Sequence, residues 1–202
     1  MATIKYSLSF TTGALFYHES VKLAALYQSV RHWDKVRDAV MADNTIQART
    51  ANTLKRVTSE ITSRLKTLSE QEVIFLNNAE YVEQKYILWL SICRRYTFIA
   101  DFAADILHGK FVSLMPYVTY EDYDIFFSKK AEWHVEFERI AASTKRKLRQ
   151  TLFKMMREAN LVDKKNTIMP ILPSVAFRAV LARVKRPELM FFPILEPIRQ
   201  AE

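Results

Sequence analysis

The most informative part of this chain is "EYVEQKYILWLSICRRYTFIADFAADILHGKF" (residues 80–111), which lies at its centre. Drawn as helices over 80–96 and 97–111, it is strongly apolar on more than one side. A surface helix carries one apolar stripe, whereas a helix that is apolar all round is buried. We therefore expect these two helices to form the central core, and Gly109 to close the second one.

The composition favours a helical protein without a nucleotide-binding loop. The 202 residues are 50% hydrophobic and 12% aromatic, which is enough for one large or two small domains with a proper core. Only two glycines occur, so neither a P-loop nor a dinucleotide-binding glycine motif can form. Few glycines and many Leu, Lys, Glu, Arg and Ala favour helices. The predicted fold class is all-α (mainly α).

The chain is expected to be cytoplasmic. Cys93 is the single cysteine, so it can form no internal disulfide and no zinc site by itself. The N-terminus lacks the basic and apolar pattern of a secretory signal. The longest apolar run, residues 86–93, is much shorter than the roughly 20 residues that a membrane-spanning helix needs. We expect no contact with a membrane.

Charge is divided unevenly along the chain. The net charge is +5 over residues 1–66, −5 over 67–142 and +8 over 143–202, for a total of +8. An even distribution would suggest solubility alone. Two basic ends around an acidic middle instead suggest two surfaces that bind a polyanion.

Three predicted units follow from helical patterns. Residues 1–68 contain helices from about 18 to 28, 32 to 42 and 47 to 67, a layout compatible with a helix-turn-helix unit. Residues 69–142 form the acidic and apolar core unit. There Ser69 and Glu72 have the spacing of a capping box, and Thr119 caps a further helix.

The third unit, residues 143–202, resembles a winged helix in the order of its parts. A helix capped by Ser143 or Thr144 is expected to reach about Asn160, followed by a charged turn and a short extended piece, "NTIMPI". A helix over 173–186 and a proline-rich tail complete the unit. We expect at most a short β-wing.

The helix over 143–160 has one apolar and one basic side. Lys145, Arg146 and Lys147 are predicted in its first turn, where the helix dipole disfavours cations by about 0.3–1 kcal/mol each. A phosphate bound to that turn would reverse this effect. The predicted DNA contacts of this unit are Lys145, Arg146, Lys147, Arg149, Lys154 and Arg157, with Lys164 and Lys165 at the wing tip.

A second contact surface is predicted on the helix over 47–67. Its outer face carries residue types suited to phosphates and base edges, although any surface helix has a polar outer face. The predicted contacts are Arg49, Asn52, Lys55 and Arg56.

The sequence favours no enzymatic chemistry. The histidines lack metal-ligand spacing, and Cys93 in an apolar helix is expected to be buried and not reactive. Asp101 and Asp105 share a helix face and could act as paired carboxylates, but pairing with Arg94, Arg95 or a helix end is the plainer interpretation. The aromatic residues of the middle unit are expected in the core; the alternative, a stacking platform for single strands, needs exposed rings. No metal, cofactor or small-molecule substrate is expected.

Four segments together resemble the BrxA family, small proteins encoded in bacteriophage exclusion (BREX) defence systems. They are "SFTTGALFYHES" (9–20), "ARTANTLKRVTSEITSRLKTLS" (48–69), "EQKYILWLSICRRYTFIADFA" (83–103) and "STKRKLRQTLFKMMREANL" (143–161). The resemblance implies an all-helical cytoplasmic accessory protein of phage defence, without enzymatic activity, that binds DNA through helix-turn-helix or winged-helix elements. A similarity to the NusB-type fold is associated with the family and leaves RNA open as a ligand.

We therefore expect a protein that binds double-stranded DNA, mainly through phosphates and with little sequence preference. Two alternatives stay open. The apolar tail "ELMFFPILEP" (188–197) packs either on its own core or on a partner, which would make the chain an adaptor for other phage-exclusion proteins. The third possibility is an RNA binder of the NusB type.

Overall fold

The structure is a computed structural model that describes residues 6–181 and 186–194. Its secondary structure is helical, with two isolated β-bridges among the described residues. The all-α prediction is therefore confirmed. The main helices are α1 (Tyr17–Val30), α2 (Trp33–Asp43), α3 (Ala51–Leu65), α4 (Glu70–Asn78), α5 (Tyr81–Arg95), α6 (Thr97–Phe102), α7 (Gly109–Val112), α8 (Tyr120–Ala131), α9 (Val135–Glu138), α10 (Ala142–Glu158), α11 (Val175–Leu181) and α12 (Arg186–Leu189).

Helix α5 lies at the centre of the molecule, as its composition predicts. Every residue from Gln84 to Cys93 is buried. The helix contacts α3 and α4 on the N-terminal side of the chain and α6 and α10 on the C-terminal side. The buried apolar side chains of all three predicted units join in one cluster around it. The unit boundaries at 68/69 and 142/143 stay a prediction.

The second central helix does not end at Gly109, so that prediction is wrong. Helix α6 continues through a π-helical segment, Ala103–His108, directly into α7. Gly109 has φ −57° and ψ −44°, which are ordinary helical values. The chain leaves the helix only after Val112, where Leu114 takes a left-handed conformation with φ 58°.

Helix ends follow local capping chemistry in several places. Ser69 with Glu72, and Thr119 with Asp122, form the two capping boxes of α4 and α8, which confirms both predicted starts. Helix α3 begins four residues later than predicted because the side chain of Thr50 accepts the amide of Thr53.

Helix α10 begins earlier than predicted. Its N-cap is Ala141, without a side-chain cap bond, so the prediction that Ser143 or Thr144 caps this helix is wrong. The backbone conformation of Ala141 turns the chain into the helix, and the two hydroxyl residues lie inside its first turn.

A small hairpin follows α10. Val162 and Ile168 form an antiparallel bridge, and the residues between them make the turn that carries Lys164 and Lys165. A third segment joins the hairpin, because Tyr117 forms an antiparallel bridge with Thr167. The predicted extended piece after the charged turn is thus present as an isolated bridge pair.

The last described segment packs on the protein's own core. The tail residue Phe192 is fully buried, and the indole of Trp89 donates to the backbone oxygen of Phe191 at 2.9 Å. Ser174 Oγ accepts the amide of Phe177, in agreement with the predicted start of α11. Residues 182–185 of the predicted helix and residues 195–202 of the tail lie outside the described residues. No helix in the described part of the chain is long and apolar enough to cross a bilayer.

Candidate nucleic-acid interface

Helix α10 has the two faces that its sequence predicts. Leu148, Leu152, Met155 and Met156 are completely buried, and the helix packs through this side against α5 and the N-terminal segment. The cationic residues lie on the remaining surface of the helix. This division directs the basic side of the helix away from the core.

The start of α10 differs from the expected phosphate cradle. The helix begins at Ala142, so its first turn contains only one cation, Lys145, and Arg146 and Lys147 fall in the second turn. The amide of Lys145 already donates to the backbone oxygen of Ala141 at 2.9 Å. The expectation that three cations and the free amides of one turn converge on one phosphate is therefore wrong.

Two of the predicted contacts on α10 are already paired within the protein. Lys145 Nζ lies 3.5 Å from Asp124 Oδ1, and Arg149 Nη1 donates to Asp124 Oδ2. Asp124 belongs to α8, in the acidic middle of the chain. The sequence shows α8 as an acidic helix but gives no sign that this carboxylate meets the basic helix, so the reasoning from sequence missed Asp124.

Arg146 and Lys147 are exposed and unpaired. Neither side chain forms an ion pair or hydrogen bond with any residue that the structure describes. Farther along, Lys154 lies 3.7 Å from Glu158 on the same helix. Lys154 is well exposed and Glu158 is partly exposed, and a pair this accessible to water is weak. Arg146 and Lys147 are therefore the two cations of α10 that are exposed and form no ion pair with the described part of the chain.

The hairpin is fastened to the end of α10. Arg157 Nη1 donates a hydrogen bond to Asn166 Oδ1 at 2.8 Å. One nitrogen of this guanidinium therefore stabilises the hairpin turn. Asp163 Oδ1 accepts the amides of Lys165 and Thr167, both at 2.8 Å. The backbone hydrogen bond from Thr167, followed by that from Lys165, lowers the pKa of the Asp163 carboxyl.

The hairpin turn presents two further free cations. Lys164 and Lys165 are exposed, and their ammonium groups form no ion pair within 4 Å and no hydrogen bond among residues 6–181 and 186–194. The bonds of Asp163 fix the backbone of the turn, whereas the two side chains remain free to reach a ligand. The structure thus brings an ordered turn with two cations beside the C-terminal end of α10.

Helix α3 carries the second predicted surface. Arg49, just before the helix, and Asn52, Lys55 and Arg56 in its first half are all exposed. None of these side chains forms an ion pair or hydrogen bond within the described part of the chain. Helix α3 packs on α1, α2 and α5, so these four residues form a surface on a different part of the bundle from α10.

Asp101, one of the two candidate catalytic carboxylates, has structural partners. Its Oδ2 accepts hydrogen bonds from Tyr6 and from Lys130, both at 2.5 Å. Lys130 lies in the last turn of α8, so Asp101 pairs with a helix end and not with Arg94 or Arg95. Asp105, the other carboxylate of the pair, is exposed. Arg94 instead bridges two glutamates.

The surroundings of Cys93 disfavour its thiolate form. Cys93 is buried, as expected, and burial raises the pKa of its thiol well above the usual range. A thiol that stays protonated is a poor nucleophile. No three His, Cys, Asp or Glu side chains among the described residues are grouped so that they could hold a metal ion.

Comparison with known proteins gives a family and a fold. A model of the BrxA family matches residues 4–185. A protein of Bacillus cereus (strain H3081.97) described as "BREX protein BrxA" is 24% identical over 157 residues, which cover 76% of this chain and 77% of that protein. The crystal structure of an uncharacterized protein from Magnetospirillum magneticum superposes with a TM-score of 0.80 at 16% identity, over 94% of this chain and 98% of that one.

Proposed function

This chain belongs to the BrxA family, and from that premise we propose that it is a non-enzymatic accessory protein of a bacteriophage exclusion (BREX) system that binds double-stranded DNA. The observation that carries the proposal is the set of exposed cations without an internal partner on α10 and the hairpin after it. These are Arg146, Lys147, Lys164 and Lys165.

A phosphate backbone is the ligand that best fits these cations. Four unpaired cations on a helix and an adjacent turn repel one another, and a polyanion removes that repulsion. Lys and Arg on exposed positions release counterions from DNA when they meet its phosphates, which supplies affinity without reading the sequence. We therefore expect binding that depends strongly on salt and weakly on DNA sequence.

The order of the elements supports a winged-helix mode of contact. In such modules a helix enters or follows the major groove, and a hairpin touches the neighbouring backbone. Helix α10 and the turn at Lys164 and Lys165 have this order, and Arg157 ties the two together through Asn166. In the proposed complex, α10 contacts the groove through Arg146 and Lys147.

Helix α3 is proposed as a second contact surface. Its free polar residues lie in the first half of the helix, and recognition helices use their N-terminal residues to touch base edges. Asn52 and Arg56 are of the types that bind adenine and guanine edges. Arg49 and Lys55 suit phosphates.

The proposal is tested with the double charge reversal Arg146→Glu, Lys147→Glu in a titration with fluorescent duplex DNA. The matched control is Lys129→Glu, Arg139→Glu, which makes the same change of charge at two exposed residues of the acidic middle unit. We expect the first variant to lose at least tenfold in affinity and the control to lose little. Equal losses in the two variants would mean that only total charge matters, and full binding by the first variant would contradict the proposed surface.

The same titration separates the alternative functions. Duplex DNA, single-stranded DNA and structured RNA compete for the protein at two salt concentrations, about 50 and 200 mM. A preference for structured RNA would favour the RNA-binding alternative. Salt-insensitive binding to another protein would favour the adaptor function. The observation that supports this alternative is the exposure of two large apolar side chains, Leu114 and Leu172.

A further inference from the structure

We propose that Asp124 competes with DNA phosphates inside the protein. It binds Lys145 and Arg149 and thereby lowers the affinity of α10 for DNA. The inference rests on the proposed function, because it concerns the regulation of the same basic surface. It follows from the geometry around one carboxylate.

The Asp124 carboxylate is held by two cations of the facing helix. Lys145 and Arg149 are one turn apart on α10, and each approaches a different oxygen of Asp124. A carboxylate and a phosphate oxygen present the same kind of acceptor to such a pair. Lys145 and Arg149 therefore form an anion site that is already filled from within the chain.

The anion site would keep its shape without Asp124. Lys145 Nζ lies 4.9 Å from the ring centre of Phe127, and the guanidinium of Arg149 lies 4.9 Å from the ring centre of Tyr120. Cation–π contacts hold both head groups in place independently of the carboxylate. Removing the charge of Asp124 would therefore leave two cations that stay in position and can bind another anion.

The site is also accessible from solvent. The side chain of Asp124 is 39% exposed to solvent, and those of Lys145 and Arg149 are 29% and 24% exposed. An ion pair that remains this exposed is weak enough to be exchanged for another anion. DNA that lies along Arg146 and Lys147 thus meets a neighbouring carboxylate that repels it and withholds two cations.

The experiment compares Asp124→Asn with Glu121→Gln in the duplex titration. Glu121 lies one turn before Asp124 on α8, is exposed, and forms no ion pair or hydrogen bond with a described residue. The two substitutions raise the net charge by the same amount, so the comparison separates released cations from general attraction. At about 50 mM salt we expect Asp124→Asn to tighten binding about three- to tenfold and to steepen the salt dependence by about one to two phosphate contacts.

A coupling measurement then assigns the gain to the two cations. The pair Lys145→Met, Arg149→Met should lower affinity in the parent, because it removes two positive charges and leaves the Asp124 carboxylate unpaired. In this double-methionine background, Asp124→Asn should raise affinity no more than Glu121→Gln does. Thermal unfolding checks that each variant is folded at the temperature of the titration.

Two results would overturn the inference. The first is an equal gain from Asp124→Asn and Glu121→Gln, because only net charge would then be acting. The second is a gain that survives the loss of both cations. Failure of the proposed function gives a different result, since the parent itself would then not bind duplex DNA at low salt.

Discussion

A β-carbon on Gly13 would lie 2.3 Å from Cγ2 of Thr151, much closer than any two carbon atoms approach without a bond. It would also lie 2.9 Å from the backbone oxygen of Phe10 and 3.3 Å from Sδ of Met155. The N-terminal segment therefore crosses α10 at a point where a side chain does not fit. This contact sets how closely the basic helix is held to the rest of the bundle.

Gly13→Ala should destabilise the protein. The added methyl group must displace a backbone oxygen as well as two side chains of α10, and overpacking of this kind costs about 1–3 kcal/mol. The free energy of unfolding, measured with urea, tests this. Gly109→Ala is the control: its β-carbon meets only Ala104 O at 3.9 Å, and Gly109 has helical angles, so we expect a stabilisation of about 0.5–1 kcal/mol. Equal stability of Gly13→Ala and the parent would contradict the close contact.

Arg94→Met should be among the most damaging single changes. The guanidinium donates to both Glu72 and Glu188 at 2.8–3.0 Å and so joins α4, α5 and α12. Its loss leaves a buried Glu72 carboxylate without its partner, which costs about 3–5 kcal/mol. Urea unfolding gives the value. A loss below about 1 kcal/mol would show that water replaces the arginine easily.

The Glu72 carboxylate predicts how stability depends on pH. Burial alone would raise its pKa, but the hydrogen bonds from Arg94 and Ser69 outweigh burial and lower it below the usual 4.5. A lowered folded-state pKa gives stability that is present above the unfolded-state value and lost as the pH falls through the folded-state value. Unfolding free energy should therefore decline as the pH is lowered from about 5 towards 3.

Glu72→Gln isolates this contribution. Glutamine at this position keeps the capping box with Ser69, so the change removes mainly the charge. We expect the variant to be less stable than the parent at pH 7 and to lose less stability between about pH 5 and pH 3. Parallel curves of unfolding free energy against pH for the two proteins would assign the acid sensitivity to other carboxylates. Asp122 is one such group: burial alone would raise its pKa, but hydrogen bonds from Lys110 and Thr119 outweigh burial and lower it.

Lys164→Gln with Lys165→Gln should weaken DNA binding without affecting the fold. Both side chains are exposed, so their removal takes away up to two phosphate contacts. The slope of log affinity against log salt concentration should therefore become shallower by about one to two. Titration at several salt concentrations measures the slope, and Lys66→Gln with Lys129→Gln serves as the control. An unchanged slope would exclude the hairpin turn from the contact.

The α3 surface is tested by Arg49→Gln, Lys55→Gln and Arg56→Gln together. These three cations have no internal partner among the described residues, so the variant should keep its melting temperature. If α3 contacts DNA, the affinity falls and the slope of log affinity against log salt concentration becomes shallower by about two to three. Binding indistinguishable from that of the parent would exclude α3 from the contact with DNA.

Local sequence predicted the helices where local chemistry was decisive. The capping box of Ser69 with Glu72 and the cap at Thr119 are predictable because each depends on residues within one helical turn. Gly109 was misjudged because glycine is also tolerated inside a helix when the surrounding core stabilises it. The start of α10 was misjudged because Ala141 enters the helix through its backbone conformation, without any capping side chain.

The sequence by itself determined that the chain is helical, that its centre is buried, and that α10 has one apolar and one basic face, because these properties depend on composition and on a period of 3.6 residues. Only the tertiary structure decided which cations remain free. Asp124 lies more than twenty residues before Lys145 and Arg149 along the chain, and it meets them because α8 packs beside α10. Pairing between distant charges depends on how helices are packed, and no local pattern of residues carries that information.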